Sequence, residues 1–286
     1  MEKNIVVEKR KFGIYEYGIE SGSVIFYFHG FPGSRLDGCL FDFDTVASNL
    51  GLRILAIDRP GIGNSEFKIN RKLQDWVFDV SNIADYLKID KFSVLGISGG
   101  APYALAIASG LPDRLHSVSI VSGMGPFQYK ESLSGSAMQI PKLNRLLRKI
   151  IVWFMKLGIT KNPEKFKNRI CATLPVSDNK FLTSSGKLED IVTAFKESLK
   201  QGLKGYLHEA KIYKDKWGFD IKSIKSKVYL WHGTNDKNVS VELAQRIESE
   251  IPNCQATYIE NEGHFSLTGK YLIDILSRIK QYNNGT

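Results

Sequence analysis

Short apolar runs alternate with segments of helical periodicity over the first 125 residues of the chain. The apolar runs predict strands at 24–29, 53–58, 92–97 and 117–122. Apolar positions at helical spacing predict helices at 41–50, 75–87 and 101–110. Strands that alternate with helices in this way form a mostly parallel sheet with helices on both faces. The pattern therefore predicts an α/β fold.

The strand pattern stops after residue 125, and helical spacing dominates from 126 to 217. Alternation then resumes, with predicted strands at 228–231 and 256–259 and predicted helices at 241–249 and 271–281. We therefore expect an α/β core formed by residues 1–125 and 218–286, interrupted by a helical cap over 126–217.

One predicted helix of this insertion is amphipathic. Its apolar positions recur at helical spacing, at Leu143, Leu146, Leu147, Ile150 and Phe154. We expect this apolar face to pack on the parent domain, with Leu146, Ile150 and Phe154 lining a pocket and the lysines and arginines facing outward. The alternative is a helix that lies on a membrane surface.

The positive charge is concentrated in the same segment. The chain has a formal net charge of +9, and residues 142–227 contain 20 Lys and Arg but only 8 Asp and Glu. Such a surface is either a solvated helical face or a site that attracts an acidic partner. Nothing in the pattern calls for a nucleic acid partner.

The remaining composition favours a soluble cytoplasmic protein without a cofactor. Residues 1–17 mix charges with short apolar steps, which is unlike a secretory signal, and no stretch has the roughly 20 apolar residues of a transmembrane helix. The three cysteines, Cys39, Cys171 and Cys254, lie far apart and lack metal-ligand spacing. We expect reduced thiols and no metal site.

The stretch Gly-Ile-Ser-Gly-Gly at 96–100 lies where a predicted strand gives way to a predicted helix. Ser98 at such a position often caps the helix. Capping does not account for Gly96 and Gly100, which remove side chains that would collide in a tight turn. This pattern is typical of a nucleophile elbow. The pentapeptide alone leaves both interpretations open.

Polar residues of catalytic type follow both strands after the insertion. Asp236 follows the strand at 228–231, and His264 follows the strand at 256–259. Since the carboxyl ends of parallel strands meet at one edge of a sheet, we expect both residues near Ser98. A serine needs a base to take its proton, and the base needs a carboxylate to orient it. Ser98, His264 and Asp236 supply these three roles.

The order Ser, Asp, His and two further motifs resemble the α/β-hydrolase superfamily over nearly the whole chain. The sequence His-Gly-Phe-Pro-Gly at 29–33 is similar to its oxyanion loop, and residues 58–65 are similar to its Asp-x-x-Gly-x-Gly-x-Ser turn. The resemblance implies that the backbone N–H groups of Phe31 and Gly99 form the oxyanion hole.

The resemblance implies a cofactor-independent serine hydrolase, which we expect to cleave a small or medium carboxylic ester through an acyl-enzyme. A thioesterase, a carbon-carbon bond hydrolase or an aminopeptidase would use the same residues, although a basic insertion suits a free amine poorly. A ligand-binding receptor that retains the triad is a further alternative. Similarity to carrier-protein methyl esterases adds an acidic acyl carrier protein as a candidate partner besides a small-molecule ester.

Overall fold

The computed structural model describes residues 1–184 and 186–283, and an eight-stranded sheet lies at its centre. The strands are β1 Glu2–Val7, β2 Arg10–Gly18, β3 Ser23–Phe28, β4 Leu52–Ile57, β5 Phe92–Ile97, β6 Leu115–Val121, β7 Val228–Gly233 and β8 Cys254–Ile259. Their spatial order is β1-β2-β4-β3-β5-β6-β7-β8. The six strands from β3 to β8 run parallel to one another, which confirms the predicted mostly parallel sheet.

Twelve α-helices lie within the described residues. They are α1 Asp37–Leu40, α2 Phe43–Leu50, α3 Asp75–Tyr86, α4 Ala101–Gly110, α5 Gln139–Lys142, α6 Arg145–Lys161, α7 Pro163–Thr173, α8 Val176–Ser184, α9 Leu188–Ser198, α10 Lys204–Lys214, α11 Val241–Glu250 and α12 His264–Asn283. Helices α5 to α10 all lie between β6 and β7. Helix α12 begins seven residues before the predicted start at 271 and has a non-helical residue, Tyr271, at that position.

Strands β1 and β2 are absent from the sequence prediction. They form an antiparallel hairpin at the edge of the sheet, and β2 also pairs antiparallel with β4. In β1 only Ile5 and Val7 are buried, while charged residues occupy the turn between the two strands. Because one side of an edge hairpin faces solvent, it lacks the continuous apolar run that identified the central strands.

The two faces of the sheet bury separate cores. Along β3, Phe26 and Phe28 point into the core beneath α3 and α4, whereas Ile25 and Tyr27 point into the core beneath α2 and α12. Successive side chains of a strand point to opposite faces, so a strand that is buried on both faces is apolar throughout. This is why the central strands were predictable.

Helix α6 has the opposite orientation to the one predicted. Val152 and Ile159 pack in a core with residues of α9 and α10, and Arg148 is buried with them. The apolar residues Leu146, Ile150 and Phe154 are exposed instead. The prediction that these three line a pocket is therefore wrong. Both faces of α6 are apolar, and sequence periodicity alone did not tell which of the two packs on the protein.

A very tight turn joins β5 to α4. Ser98 adopts a left-handed backbone conformation with φ of 53°, and the chain doubles back against the end of β3. A Cβ on Gly100 would lie 1.9 Å from the carbonyl oxygen of Phe28, and a Cβ on Gly96 would lie 2.6 Å from the carbonyl oxygen of Gly100. Glycine is required at both positions because the backbones approach this closely.

Replacing Gly100 by alanine should therefore destabilise the protein. The new methyl group would meet rigid backbone of β3, and such overpacking costs about 3 kcal/mol of unfolding free energy. Gly158→Ala is the matched control, since a Cβ at this position near the end of α6 meets nothing within 4 Å and should stabilise the helix by about 0.5 to 1 kcal/mol. Urea unfolding of both variants measures the difference. Equal stability of the two variants would contradict the close approach at Gly100.

Candidate active site

Ser98 and His264 line the same cavity, which has a volume of about 220 Å³. Ser98 follows β5 and His264 begins α12, just after β8, so the parallel sheet brings both to its carboxyl edge. The rest of the cavity wall is mostly apolar, with contributions from both core and insertion, among them Leu40, Phe41, Ile140, Met155, Ile191 and Phe195. The cavity therefore offers a hydroxyl and an imidazole in apolar surroundings.

Asp236 fixes the orientation of His264. The imidazole Nδ1 donates a hydrogen bond to Asp236 Oδ2 over 2.8 Å. The other carboxylate oxygen accepts the backbone N–H groups of Asn238 at 2.8 Å and Val239 at 2.9 Å. Each oxygen of Asp236 thus has its own partners. The arrangement places the proton of a neutral His264 on Nδ1 and leaves Nε2 as the basic nitrogen.

The electrostatics of this pair follow from its geometry. Burial disfavours the charged form of His264, but the Asp236 carboxylate outweighs that effect and raises the pKa of His264 above its usual value. Burial likewise disfavours the charged form of Asp236, and His264 lowers the pKa of Asp236 in spite of it. The pair therefore stabilises an imidazolium beside Ser98.

Two other histidines are buried close to these loops and serve the backbone. His232 Nε2 donates to the carbonyl oxygen of Val239 at 3.0 Å, which braces the turn that carries Asp236. His29 Nδ1 donates to the carbonyl oxygen of Gly30 at 2.9 Å. Burial lowers the pKa of both histidines, most strongly that of His29. Each is therefore neutral and structural.

Phe31 and Gly99 lie side by side, as an oxyanion hole requires. A Cβ on Gly99 would lie 2.6 Å from the Phe31 Cβ and 3.0 Å from the Phe31 backbone nitrogen. Among the described residues, the Phe31 N–H has no hydrogen-bond acceptor. The Ala101 N–H, two residues after Gly99, donates to the carbonyl oxygen of Ser98. Phe31 borders the cavity, whereas Gly99 is not among the residues that line it.

A buried ion pair beneath the loop at residues 29–33 is absent from the sequence prediction. Arg59 Nε donates to Glu209 Oε2 of helix α10 at 2.7 Å, and both side chains are fully buried. The same guanidinium donates to the carbonyl oxygens of His29 at 2.6 Å and Gly30 at 2.9 Å. Arg59 lies in a motif that the sequence shows, but Glu209 has no motif around it.

Helix α10 also contacts the turn that carries Ser98. The Tyr213 hydroxyl lies 2.8 Å from the carbonyl oxygen of Gly99 and 3.1 Å from Glu209 Oε2. The Tyr103 hydroxyl donates to Glu209 Oε1 at 2.9 Å. One carboxylate on the inserted helices is therefore linked to both loops that surround Ser98.

A second buried acid of the inserted helices contacts the start of α12, where His264 lies. Asp178 in α8 accepts backbone N–H groups at the start of α12, from His264 at 2.9 Å, Phe265 at 2.9 Å and Ser266 at 2.8 Å. Its carboxylate leaves no room for a side chain at Gly263, where a Cβ would lie 2.4 Å from Asp178 Oδ1. An anionic group at a helix N-terminus is favourable. No sequence signal connected Asp178 with His264, because the two are 86 residues apart.

Two further acids, Asp58 and Asp37, use their carboxylate oxygens to accept backbone hydrogen bonds. Asp58, the first residue of the Asp-x-x-Gly-x-Gly-x-Ser motif, accepts the backbone N–H groups of Arg35 at 2.8 Å and Asn64 at 2.9 Å. Asp37 lines the cavity, but its two oxygens accept the backbone N–H groups of Gly30 and Ser34, both at 3.0 Å. Burial raises the pKa of Asp37 to about 7.

Neither a metal cluster nor a membrane-spanning helix is found among the described residues. No group of three or more His, Cys, Asp or Glu side chains is placed so that it could hold a metal ion. Among the helices of residues 1–184 and 186–283, none combines the length and apolar character needed to cross a membrane.

One curated relative is similar to less than half of the chain, and another is similar to most of it. A dihydrolipoyllysine-residue acetyltransferase component of an acetoin cleaving system from Pseudomonas putida is 31% identical over 126 residues, which are 44% of this chain and 32% of that protein. The chain thus spans about a third of that relative's length. A putative proline iminopeptidase from Mycoplasma pneumoniae is 25% identical over 278 aligned positions, covering 86% of each chain.

Solved structures and a family model agree on the fold. A thermophilic esterase from Thermogutta terrifontis superposes with a TM-score of 0.72 at 16% identity and covers 99% of this chain and 100% of its own. At that identity the likeness shows the fold. The model of the alpha/beta hydrolase fold matches residues 23–270. Because this match covers most of the chain, the chain belongs to the α/β-hydrolase fold family.

Proposed function

We propose that the protein is a carboxylic ester hydrolase in which Ser98 is the nucleophile, His264 the general base and Asp236 the orienting acid. The observation that carries the proposal is the hydrogen bond of 2.8 Å between Asp236 and His264, in a cavity that Ser98 also lines. The left-handed backbone of Ser98 supports it further, because a strained turn at this position exposes a nucleophile to substrate.

In the proposed reaction, Ser98 Oγ attacks the ester carbonyl carbon while His264 Nε2 takes the hydroxyl proton. The N–H groups of Phe31 and Gly99 would donate to the oxygen that becomes negative, each worth about 3 to 4 kcal/mol of barrier. His264 then returns the proton to the leaving alcohol, and an acyl-enzyme remains. His264 then deprotonates a water molecule that attacks the acyl carbon, and it passes this proton to Ser98 Oγ as the bond to the acyl group breaks and the acid is released.

The cavity favours a small or medium acyl group. Its volume of about 220 Å³ is below the roughly 300 Å³ at which sites for drug-sized ligands begin. Part of its wall comes from Ile140, Met155, Ile191 and Phe195 of the helices between β6 and β7. We therefore propose that residues 126–217 form a cap domain that encloses the acyl chain over the core.

An aminopeptidase is the second candidate, because the relative from Mycoplasma pneumoniae bears that name and aligns with 86% of the chain. A free α-amine needs an unoccupied carboxylate as its partner. Asp37 supplies the one Asp or Glu side chain among the described residues that line the cavity, and both its oxygens already accept backbone N–H groups. An uncharged acyl group therefore fits the cavity better than an ammonium group.

A panel of matched substrates tests the proposal. We expect the highest kcat/KM for p-nitrophenyl butyrate, lower values for a butyryl thioester and negligible values for proline p-nitroanilide, because the wall is apolar and lacks a free carboxylate. Ser98→Ala should lose several orders of magnitude of turnover. Asp113→Asn, which changes an exposed acid, should keep wild-type rates. Full ester turnover in Ser98→Ala, or a preference for the proline anilide, would refute the assignment.

The pH profile tests the role of His264. A base must be neutral to accept the Ser98 proton, so kcat/KM should be lost as the pH falls through the pKa of His264. Burial alone would lower this pKa, but Asp236 raises it, so the acid limb should have its midpoint above about 6.5. Asp236→Asn should move the midpoint to lower pH and reduce turnover by roughly 10⁴. An unchanged profile in Asp236→Asn would assign the orienting acid elsewhere.

We also propose that Asp178 is a positioning residue for His264. Its carboxylate accepts three N–H groups at the start of α12 and holds the backbone from which the imidazole projects. Its negative charge also contributes to the raised pKa of His264, after the larger effect of Asp236. A carboxylate on the proposed cap thus acts on His264 in two ways, through hydrogen bonds to the backbone that carries it and through its negative charge.

Asp178→Asn should reduce kcat by about tenfold or more, because an amide has one acceptor oxygen where the carboxylate has two, and an unsatisfied buried N–H costs about 1 to 3 kcal/mol. The acid limb of kcat/KM should also move to lower pH, since the charge beside His264 is lost. Asp190→Asn, in the neighbouring helix α9, is the control. A lower melting temperature with unchanged kcat and an unchanged pH profile would make Asp178 merely structural.

A further inference from the structure

Helix α6 exposes an apolar face on the side that points away from the protein. Five large apolar side chains between residues 146 and 154 are 42% to 69% exposed. They are Leu146, Leu147, Ile150, Trp153 and Phe154, and we call this set the α6 face. Soluble proteins seldom expose apolar side chains so densely, and such patches mark interaction sites.

The α6 face is a continuous stripe along the helix. Leu146, Ile150 and Trp153 follow one another at spacings of four and three residues, and Leu147 and Phe154 lie beside them. The rings of Trp153 and Phe154 contact each other at 4.9 Å between centroids. Neither the cavity at Ser98 nor the groove beside α10 is lined by these five side chains. The stripe is thus an outer surface rather than the wall of a ligand pocket.

Positive charge borders the stripe on one flank. Arg145 and Lys149 are exposed, lie one turn apart, and have no carboxylate partner among the described residues. Helix α6 itself contains no acidic residue. The positive surface continues into a groove of about 1190 Å³, which is lined by Arg145 and Lys149 together with Lys72, Lys204 and Lys216. Lys211 also lines this groove, where it is paired with Asp215 at 2.8 Å. The α6 face therefore places an apolar stripe beside two cations, Arg145 and Lys149, that are unpaired within the described residues. A partner that matches both would have anionic groups at its surface and apolar groups below them.

We propose that the α6 face docks the protein on an anionic lipid bilayer. The apolar stripe would enter the boundary between headgroups and acyl chains, and Arg145 and Lys149 would meet the anionic headgroups. Trp153 suits this position because indole rings favour the membrane interface. Since Met155 of the same helix lines the cavity at Ser98, a docked bilayer would lie on the outer side of the cavity wall.

A second copy of the chain is a poorer occupant of the α6 face. Residues 142–227 carry 20 Lys and Arg against 8 Asp and Glu, so a contact between two α6 faces would bring like charges together. An acidic protein such as an acyl carrier protein would satisfy the cations. It would need an apolar patch of its own to cover the stripe, whereas a bilayer supplies both properties at once.

Vesicle co-sedimentation tests the proposal. The protein should bind vesicles of 30% phosphatidylglycerol in phosphatidylcholine about tenfold or more tightly than vesicles of phosphatidylcholine alone. Leu146→Ser/Ile150→Ser/Phe154→Ser should reduce that binding at least tenfold, and Arg145→Ser/Lys149→Ser should remove most of the preference for the anionic vesicles. Phe78→Ser/Ile273→Ser changes two exposed apolar side chains elsewhere on the protein and should bind as wild type.

Tryptophan emission gives an independent readout of the same docking. Trp153 is 49% exposed, whereas the other three tryptophans, Trp76, Trp217 and Trp231, are buried. Anionic vesicles should therefore shift the emission to shorter wavelength in wild type but not in Trp153→Phe. Ser98→Ala should bind vesicles as wild type, so docking is measured separately from hydrolysis.

Three results would overturn the proposal. The first is equal, weak binding to anionic and neutral vesicles. The second is undiminished binding by the triple serine variant, which would assign the contact to another surface. The third is occupation of the α6 face by protein instead of lipid, seen either as a dimer that dissociates in the triple serine variant or as binding to an acyl carrier protein without binding to vesicles.

Discussion

The close approach of three backbone segments around Gly100 is the constraint on which the candidate site depends. The turn after β5 lies so close to the end of β3 that a Cβ on Gly100 would be 1.9 Å from the Phe28 carbonyl oxygen. That contact holds Ser98 in its left-handed conformation and brings the turn beside the loop that carries Phe31. A left-handed non-glycine residue persists only where the surrounding structure enforces it. Here the parallel pairing of β3 with β5 does so.

The inserted helices contribute to the same site from the opposite side. Glu209 is paired with Arg59 beneath the loop at residues 29–33, and Asp178 accepts the N–H groups at the start of α12. Burying an ion pair is expensive unless its remaining hydrogen bonds are satisfied, and Arg59 satisfies its own with the carbonyl oxygens of His29 and Gly30. These contacts couple the helices between β6 and β7 to the loops of the core, so the geometry at Ser98 depends on both.

The sequence predicted the parts of the molecule that local chemistry determines. Uniformly apolar runs identify strands buried on both faces, and the glycines around Ser98 identify a tight turn. The parallel sheet then required Asp236 and His264 to lie at one edge with Ser98. The edge hairpin was missed because exposed and half-buried residues interrupt its apolar positions. Glu209 and Asp178 were missed because only tertiary contacts over long sequence separations give a buried acid its role.

The orientation of α6 shows the limit of periodicity most clearly. The helix has apolar residues on two opposite faces, and the face that was predicted to pack inward is exposed. Val152 and Ile159 pack inward because they meet residues of α9 and α10, which leaves Leu146 and Phe154 outside. A helix that is apolar on both sides has two apolar partners or leaves one face exposed. The exposed face is the origin of the proposed bilayer contact.

The central claim is that Ser98 becomes acylated, and reaction with a p-nitrophenyl carbamate tests it most directly. Decarbamoylation of such an adduct is slow, so the covalent intermediate accumulates when a serine is activated as proposed. We predict release of about one equivalent of p-nitrophenol per protein, with the added mass on the peptide that contains Ser98 and none in Ser98→Ala. An adduct on another residue, or ester hydrolysis without any adduct on Ser98, would contradict the account.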